Sequence, residues 1–277
     1  MLKVAVVQTN SQDNVKENLQ SVSNLIQEAH ELDCQLVLLP ENFAFIGNEQ
    51  QKLKIAETAG SGLIQDNVAN LAKKHNLWIL AGTIPIKSGS PESPENKVYA
   101  ASMLYDNQGA MVCRYDKIHL FDVSISNQEA YCESNTTLAG NSPKIYKAPF
   151  ATIGFSVCYD VRFPELYRTY SAANVDILTV PSAFVYETGK AHWEVLNRAR
   201  AIENQSFVLA ANQCGKHPEN RRSYGHSMII NPWGEIMSRE ENKPGVITAT
   251  LDLKAMHKLR KSFPVINHRK LGLSNEK

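Results

Sequence analysis

The chain has 277 residues, of which 43% are hydrophobic, enough to bury a substantial core and unlike the composition of a disordered segment. Lys and Arg total 29 against 28 Asp and Glu, a formal charge of +1. That balance gives no electrostatic reason for a nucleic-acid or anionic-membrane partner, and no apolar run approaches the length of a bilayer span.

Strand and helix signals alternate along most of the chain. The opening residues are too briefly apolar for the centre of a signal peptide, and Val4 to Gln8 reads instead as a buried strand that begins at once. Val15, Leu19, Val22, Leu25, Ile26, Ala29 and Leu32 then recur at helical spacing, with Asp13 placed to cap the start. Gln35 to Leu39 is a continuous apolar run stopped by Pro40, the pattern of a strand buried on both faces. Val68 to His75 reads as helix, Trp78 to Gly82 as another buried strand, and Lys87 to Asn96, rich in Ser, Pro and Gly, as a loop. Val98 to Tyr105 and Met111 to Tyr115 read as strands joined by a hairpin turn at Asn107-Gln108-Gly109. Next come a strand over Ala151 to Val157, a helix over Pro164 to Ala173 and a strand over Asp176 to Val180. Ala191, Val195, Ala199 and Ile202 mark one face of a longer helix, and Phe207 to Ala211 is a strand. Asn231 to Gly234 is a turn, and Val246 to Leu251 is the final strand.

No linker or repeat divides this pattern. It predicts a single α/β domain over residues 1–277, with a core over about 2–253, a C-terminal tail over about 254–277, and mixed rather than purely parallel sheets. The five cysteines, Cys34, Cys113, Cys132, Cys158 and Cys214, are dispersed, with no CxxC pair and no zinc spacing. The expectation is a reduced, cytoplasmic protein without a metal site, and a thiol–disulfide oxidoreductase is disfavoured.

Three residues just beyond strand signals can carry chemistry. Cys158 lies where an apolar strand ends and a helix opens at Pro164, a sheet edge where a thiol can act as nucleophile once a neighbour removes its proton. Glu41 follows the run ending at Leu39-Pro40, where partial desolvation suits a carboxylate to general-base work. Lys117 follows the Met111 to Tyr115 strand, where an ammonium can stabilise an oxyanion. Taken singly, each has an ordinary alternative: a core cysteine, a solvated loop glutamate, a surface lysine. Gly154-Phe155-Ser156-Val157-Cys158 begins like a serine-hydrolase elbow, but Cys158 replaces the glycine that such a turn needs.

Together and in this order, Pro40-Glu41-Asn42, Tyr115-Asp116-Lys117-Ile118-His119-Leu120 and Cys158-Tyr159-Asp160-Val161-Arg162-Phe163-Pro164-Glu165 resemble the three catalytic signatures of the nitrilase-like carbon–nitrogen hydrolases. The resemblance runs from Val4 to about Leu253. It implies a four-layer α-β-β-α sandwich with two mixed sheets, no cofactor, and a homodimer or higher homo-oligomer. It further implies Cys158 as nucleophile, Glu41 as base and later acid, Lys117 with the Tyr159 N–H as oxyanion donors, and Glu133 as a second active-site glutamate, with Glu129 nearby.

Within the family, several stretches look like the deaminated glutathione amidase branch: Phe121-Asp122-Val123, Cys132-Glu133-Ser134-Asn135, Pro181-Ser182-Ala183-Phe184, His192-Trp193-Glu194-Val195-Leu196, Arg198 to Glu203, Gln213-Cys214-Gly215 and Ser223 to Met228. That branch hydrolyses an α-keto-acid derivative of glutathione to 2-oxoglutarate and cysteinylglycine. Arg162, Arg221 and Arg222 are then expected to meet substrate carboxylates, the latter two in the basic loop 216–222, which otherwise reads as a solvated turn. Phe184 is a candidate pocket wall, whereas Trp193 reads equally as core, and His119, His192 and His226 as structural. The rival activities are an ω-amidase acting on 2-oxoglutaramate and an N-carbamoyl amino acid hydrolase. The non-enzymatic rival is an inactive binding protein.

Overall fold

The computed structural model describes residues 1–90, 94, 97–126 and 129–270. The first half of the chain forms β1 (Leu2–Gln8), α1 (Val15–Glu31), β2 (Leu36–Leu38), α2 (Glu49–Lys54), α3 (Leu63–His75), β3 (Trp78–Lys87), β4 (Val98–Tyr105), β5 (Met111–Asp116), β6 (Asp122–Ser126), β7 (Glu129–Cys132) and β8 (Thr137–Leu138). The second half forms β9 (Ile145–Lys147), β10 (Thr152–Phe155), α4 (Pro164–Ala172), β11 (Ile177–Thr179), α5 (Tyr186–Asn204), β12 (Phe207–Ala210), β13 (Cys214–Lys216), β14 (Arg222–Tyr224), β15 (Met228–Ile230), β16 (Ile236–Arg239), β17 (Gly245–Leu251) and α6 (Leu253–Ser262). Among the described residues no helix is long and apolar enough to cross a membrane.

Two mixed sheets result. The seven-stranded sheet runs β17-β1-β2-β3-β4-β5, with β8 pairing on β4; the six-stranded sheet runs β16-β15-β12-β11-β10-β9. Each has a parallel centre, β1-β2-β3 in one and β10-β11-β12 in the other, flanked by antiparallel strands. Parallel neighbours need a crossover, and helices supply it.

The period of two along β1 shows how the layers stack. Val4 and Val6 enter a core shared with Ile153, Phe155 and Ile177 of the second sheet. Ala5 and Val7 point the other way, into a cluster with Leu19, Val22 and Ile26 of α1 and Val68 and Leu71 of α3. The outer face of the second sheet is covered by α4 and α5 through Leu166, Tyr170, Trp193 and Ala201. The order is helix, sheet, sheet, helix: a four-layer α-β-β-α sandwich.

Several local expectations are corrected. The cap of α1 is Asn14, not Asp13: its extended backbone lets Oδ1 accept from the N–H of Lys16 and Glu17. The face of α5 carrying Ala191, Val195, Ala199 and Ile202 points outward, with Val195 60% and Ile202 49% exposed. The buried face instead holds Gly189, Trp193, Asn197, Arg200, Ala201 and Asn204. Its polar members are tolerated because they are hydrogen-bonded: Asn197 to Trp193 O, Asn204 to Arg200 O, and Arg200 Nε to Val161 O. The segment after Leu253 continues as helix α6, with Met256 in the core, and residues 271–277 lie outside the described residues. Of the loop expected over Lys87 to Asn96, residues 91–93, 95 and 96 also lie outside them.

One close approach sets the stage for the site. A Cβ on Gly82 would fall 1.9 Å from the carbonyl oxygen of Pro40, so only glycine lets β3 pass the chain leaving β2. The strand pairing is irregular between Ala81 and Ile84, and Thr83 Oγ1 accepts the Asn42 N–H at 2.9 Å. Glu41 is thereby held between two anchored neighbours.

Candidate active site

The chain leaves β2, β5 and β10 at one end of the sandwich, and the three residues that follow meet there. Glu41, Lys117 and Cys158 are 4%, 2% and 8% exposed. The Lys117 ammonium donates to Glu41 Oε1 at 2.9 Å and to both carboxylate oxygens of Glu133, at 3.0 and 2.8 Å. Glu41 Oε2 accepts the Ala183 N–H at 2.8 Å, and its carbonyl accepts from Gln213 Nε2 at 3.0 Å. Glu133 Oε2 also accepts the Phe121 N–H at 2.8 Å. The side chain of Glu129 lies outside the described residues.

Cys158 opens a 3₁₀ turn, Cys158–Arg162, and its φ is +48°. A non-glycine residue in that region costs about 1–2 kcal/mol and persists only where surroundings enforce it. Its N–H donates to Pro181 O at 2.9 Å. The buried Asp160 supplies the rest, gathering four donors: the Val157 N–H (2.8 Å), the Tyr115 hydroxyl (2.7 Å), the His119 N–H (3.0 Å) and His119 Nδ1 (2.7 Å). Val157 precedes Cys158, while Tyr115 and His119 bracket Lys117. One carboxylate therefore ties the Cys158 elbow to the Lys117 segment.

Burial is the main influence on the Cys158 thiol and pushes its pKa well above the ordinary value; the Glu41 charge adds to this and Lys117 opposes it. Burial alone would lower Lys117, but Glu133 and Glu41 more than offset it and hold the ammonium well above its usual range. Burial would raise Glu133, yet Lys117 and Lys52 bring it below the usual glutamate value. The set thus places a thiol that resists ionisation beside the Glu41 carboxyl group and an ammonium that resists losing its charge. It can pass a proton from sulfur to oxygen and hold a developing oxyanion.

A cavity of about 610 Å³ opens onto these groups. Tyr159, Phe184 and Arg221 line it, together with residues that the sequence did not single out, among them Glu49, Lys52 and Tyr131. Arg162 and Arg222 are not part of this wall. The Arg162 guanidinium lies behind it, 3.2 Å from His192 Nδ1 and 5.2 Å over the Phe184 ring, and Arg222 stacks on Tyr186 at 3.5 Å. Trp193 is fully buried behind Phe184, its Nε1 donating to His226 O. His119 stacks on Phe163 at 3.7 Å while bonding Asp160. Asp160 could have been noticed as a side chain three residues after an extended Val157, the spacing of a capping residue. The Ala183 and Gln213 contacts span 142 and 172 residues and have no local signal.

Residues 3–261 match the family model described as carbon–nitrogen hydrolase. The deaminated glutathione amidase of Homo sapiens is 42% identical over 98% of this chain and 83% of its own. The protein of the same name from Synechocystis sp. (strain PCC 6803 / GT-S) is 42% identical over 96% of this chain and 97% of its own. The C. elegans NitFhit protein superposes with a TM-score of 0.90 at 37% identity. It is longer: the alignment covers 97% of this chain and 65% of that one.

Glu133, held below its usual value in the folded state, contributes stability that is full above the unfolded glutamate pKa and is lost as pH falls through the folded one. Acid unfolding followed by circular dichroism should therefore be less steep for Glu133→Gln than for the parent. Equal steepness would contradict the ion cluster.

Proposed function

The chain belongs to the carbon–nitrogen hydrolase family, and we propose that it hydrolyses the internal amide of deaminated glutathione, giving 2-oxoglutarate and cysteinylglycine through a Cys158 thioester. The observation that carries the chemistry is the contact of Lys117 with both Glu41 and Glu133 beside a buried thiol. The substrate rests on the relatives of that name, which match almost the whole chain.

In this reading the Cys158 sulfur attacks the amide carbon as Glu41 takes the thiol proton. The oxyanion is held by Lys117 and by the Tyr159 N–H, which lies in the first turn of its 3₁₀ segment, where backbone donors lack partners within the turn. Glu41 returns the proton to the departing nitrogen, the C–N bond breaks, and cysteinylglycine leaves. Water then gives a proton to Glu41 and attacks the thioester; the C–S bond breaks and the sulfur recovers its proton. Glu133 keeps Lys117 charged and oriented. Phe184 and Arg221 contact the substrate, and Arg162 braces Phe184 rather than binding substrate itself.

We read residues 1–277 as one such domain, working in the cytoplasm, where a thiol nucleophile stays reduced. The rival reading as an inactive binding protein is disfavoured by the intact convergence of Glu41, Lys117 and Cys158. A homodimer or larger homo-oligomer is supported by the outward apolar stripe of α5, with Trp233 (60% exposed) close to its Ile202 end.

Purified protein should release 2-oxoglutarate from deaminated glutathione faster than from 2-oxoglutaramate, and Cys158→Ala should be folded and inactive. The reverse preference would make the protein an ω-amidase, and activity in Cys158→Ala would refute the thioester. Val195→Glu combined with Ile202→Glu should lower the sedimentation coefficient to that of a monomer. An unchanged value would remove α5 from the interface.

A further inference from the structure

At the cavity mouth, away from the Lys117 cluster, stands a second charged group. Glu49 and Lys52 come from α2, and Arg221 from the turn between β13 and β14; all three line the cavity. Glu49 Oε1 faces Arg221 Nη1 at 3.6 Å, while Oε2 faces Lys52 Nζ at 3.5 Å and accepts the Thr136 hydroxyl at 2.7 Å. Lys52 Nζ also donates to Thr137 Oγ1 at 3.1 Å. Charge-assisted bonds normally close to about 2.7–2.9 Å, so Glu49 is held firmly by Thr136 and only loosely by both cations.

Exposure points the same way. The side chains of Lys52, Arg221 and Glu49 are 14%, 34% and 45% exposed. Among the described residues the nearest partner of the lysine is the neutral Thr137 hydroxyl, closer than Glu49, and Glu49 has room to turn toward solvent. The cavity wall also carries Glu41, Glu133 and the exposed Glu219, so carboxylates outnumber the cations Lys52, Lys117 and Arg221. Glu41 and Glu133 are committed to Lys117. An anionic substrate entering here therefore meets an unfavourable field unless Glu49 withdraws.

We propose that Lys52 and Arg221 form the docking site for a carboxylate on the leaving half of the substrate, and that Glu49 fills this site as an internal counter-ion in the free protein. The leaving half is assigned because it must depart through the mouth, whereas the acyl half is held at the buried Cys158 and Lys117. A ligand carboxylate takes the place of Glu49 between the two cations. A neutral ligand leaves Glu49 where it is and gains nothing from the two cations, whereas an anion gains both but must displace Glu49, so Glu49 moderates the preference for anions that the cations create. Lys52 also lowers the pKa of Glu133, so the docking site and the Lys117 cluster share one electrostatic field. This inference rests on the proposed activity for its substrate.

The test compares kcat and KM for deaminated glutathione and its glycine methyl ester in the parent, Glu49→Gln and Arg221→Gln. Gln at position 49 still accepts from Thr136 and keeps the helix anchored. The preference for acid over ester, taken as a ratio of kcat/KM, should rise about threefold or more in Glu49→Gln and fall about tenfold in Arg221→Gln, both through KM. Added salt should compress the parent's preference. A preference unmoved in both variants, or a Glu49→Gln KM that rises alike for acid and ester, would overturn the proposal. Parent protein that hydrolyses neither compound but turns over another amide would instead overturn the assigned substrate.

Discussion

A single buried ammonium shared by two carboxylates is the constraint around which this molecule is arranged. Taking an ammonium or a carboxylate out of water costs several kcal/mol, and Lys117, Glu41 and Glu133 are withdrawn from water together. With both carboxylates within 3.0 Å of the one ammonium, the pairing makes their burial tolerable. The cost passes to the thiol, whose ionisation is opposed first by burial and then by the negative charge of Glu41 beside it. In the proposed mechanism the nucleophile is generated only during attack. When Glu41 accepts the thiol proton, the negative charge it loses reappears on the oxyanion, and Lys117 can exchange one anionic partner for the other. The net charge of the pocket stays constant throughout, which is the condition for fast chemistry in a site with little water to reorganise.

Holding that set together requires the two sheets to be locked at one end. Asp160 does most of this, since its four donors come from the Cys158 elbow and from both sides of Lys117. The positive φ of Cys158 is affordable only within such a brace. Gly82 does the corresponding work for Glu41 by letting Pro40 press against β3. The central core of Val4, Val6, Ile153 and Phe155 fixes the spacing between the sheets on which all these contacts depend.

The sequence made much of this legible, for identifiable reasons. Buried parallel strands such as Leu36 to Leu38 are unbroken apolar runs, and Glu41 and Cys158 each stood just beyond one, while Lys117 followed the antiparallel edge strand β5. The ordering of three such sites, not any one of them, carried the resemblance. What failed was what local pattern cannot hold. On α5 the apolar residues face out and Asn197, Arg200 and Asn204 face in, because hydrogen bonds to the preceding turn, and for Arg200 to the distant Val161 carbonyl, pay for polar burial in ways that spacing does not reveal. Arg162 and Arg222 carry the right charge but stand outside the cavity wall, their orientation set by Phe184, His192 and Tyr186. Lys52 and Glu49 sit on a short helix with no apolar periodicity to draw attention to it.

The most direct test of the central claim is to mix enzyme and deaminated glutathione, quench with acid within the first turnover, and measure the mass of the peptide bearing Cys158. The account predicts a 2-oxoglutaryl adduct on that cysteine, formed before 2-oxoglutarate appears and absent from a Lys117→Met variant. Product release in the quenched series with no adduct at any time would contradict it, and would mean that water rather than Cys158 attacks the amide.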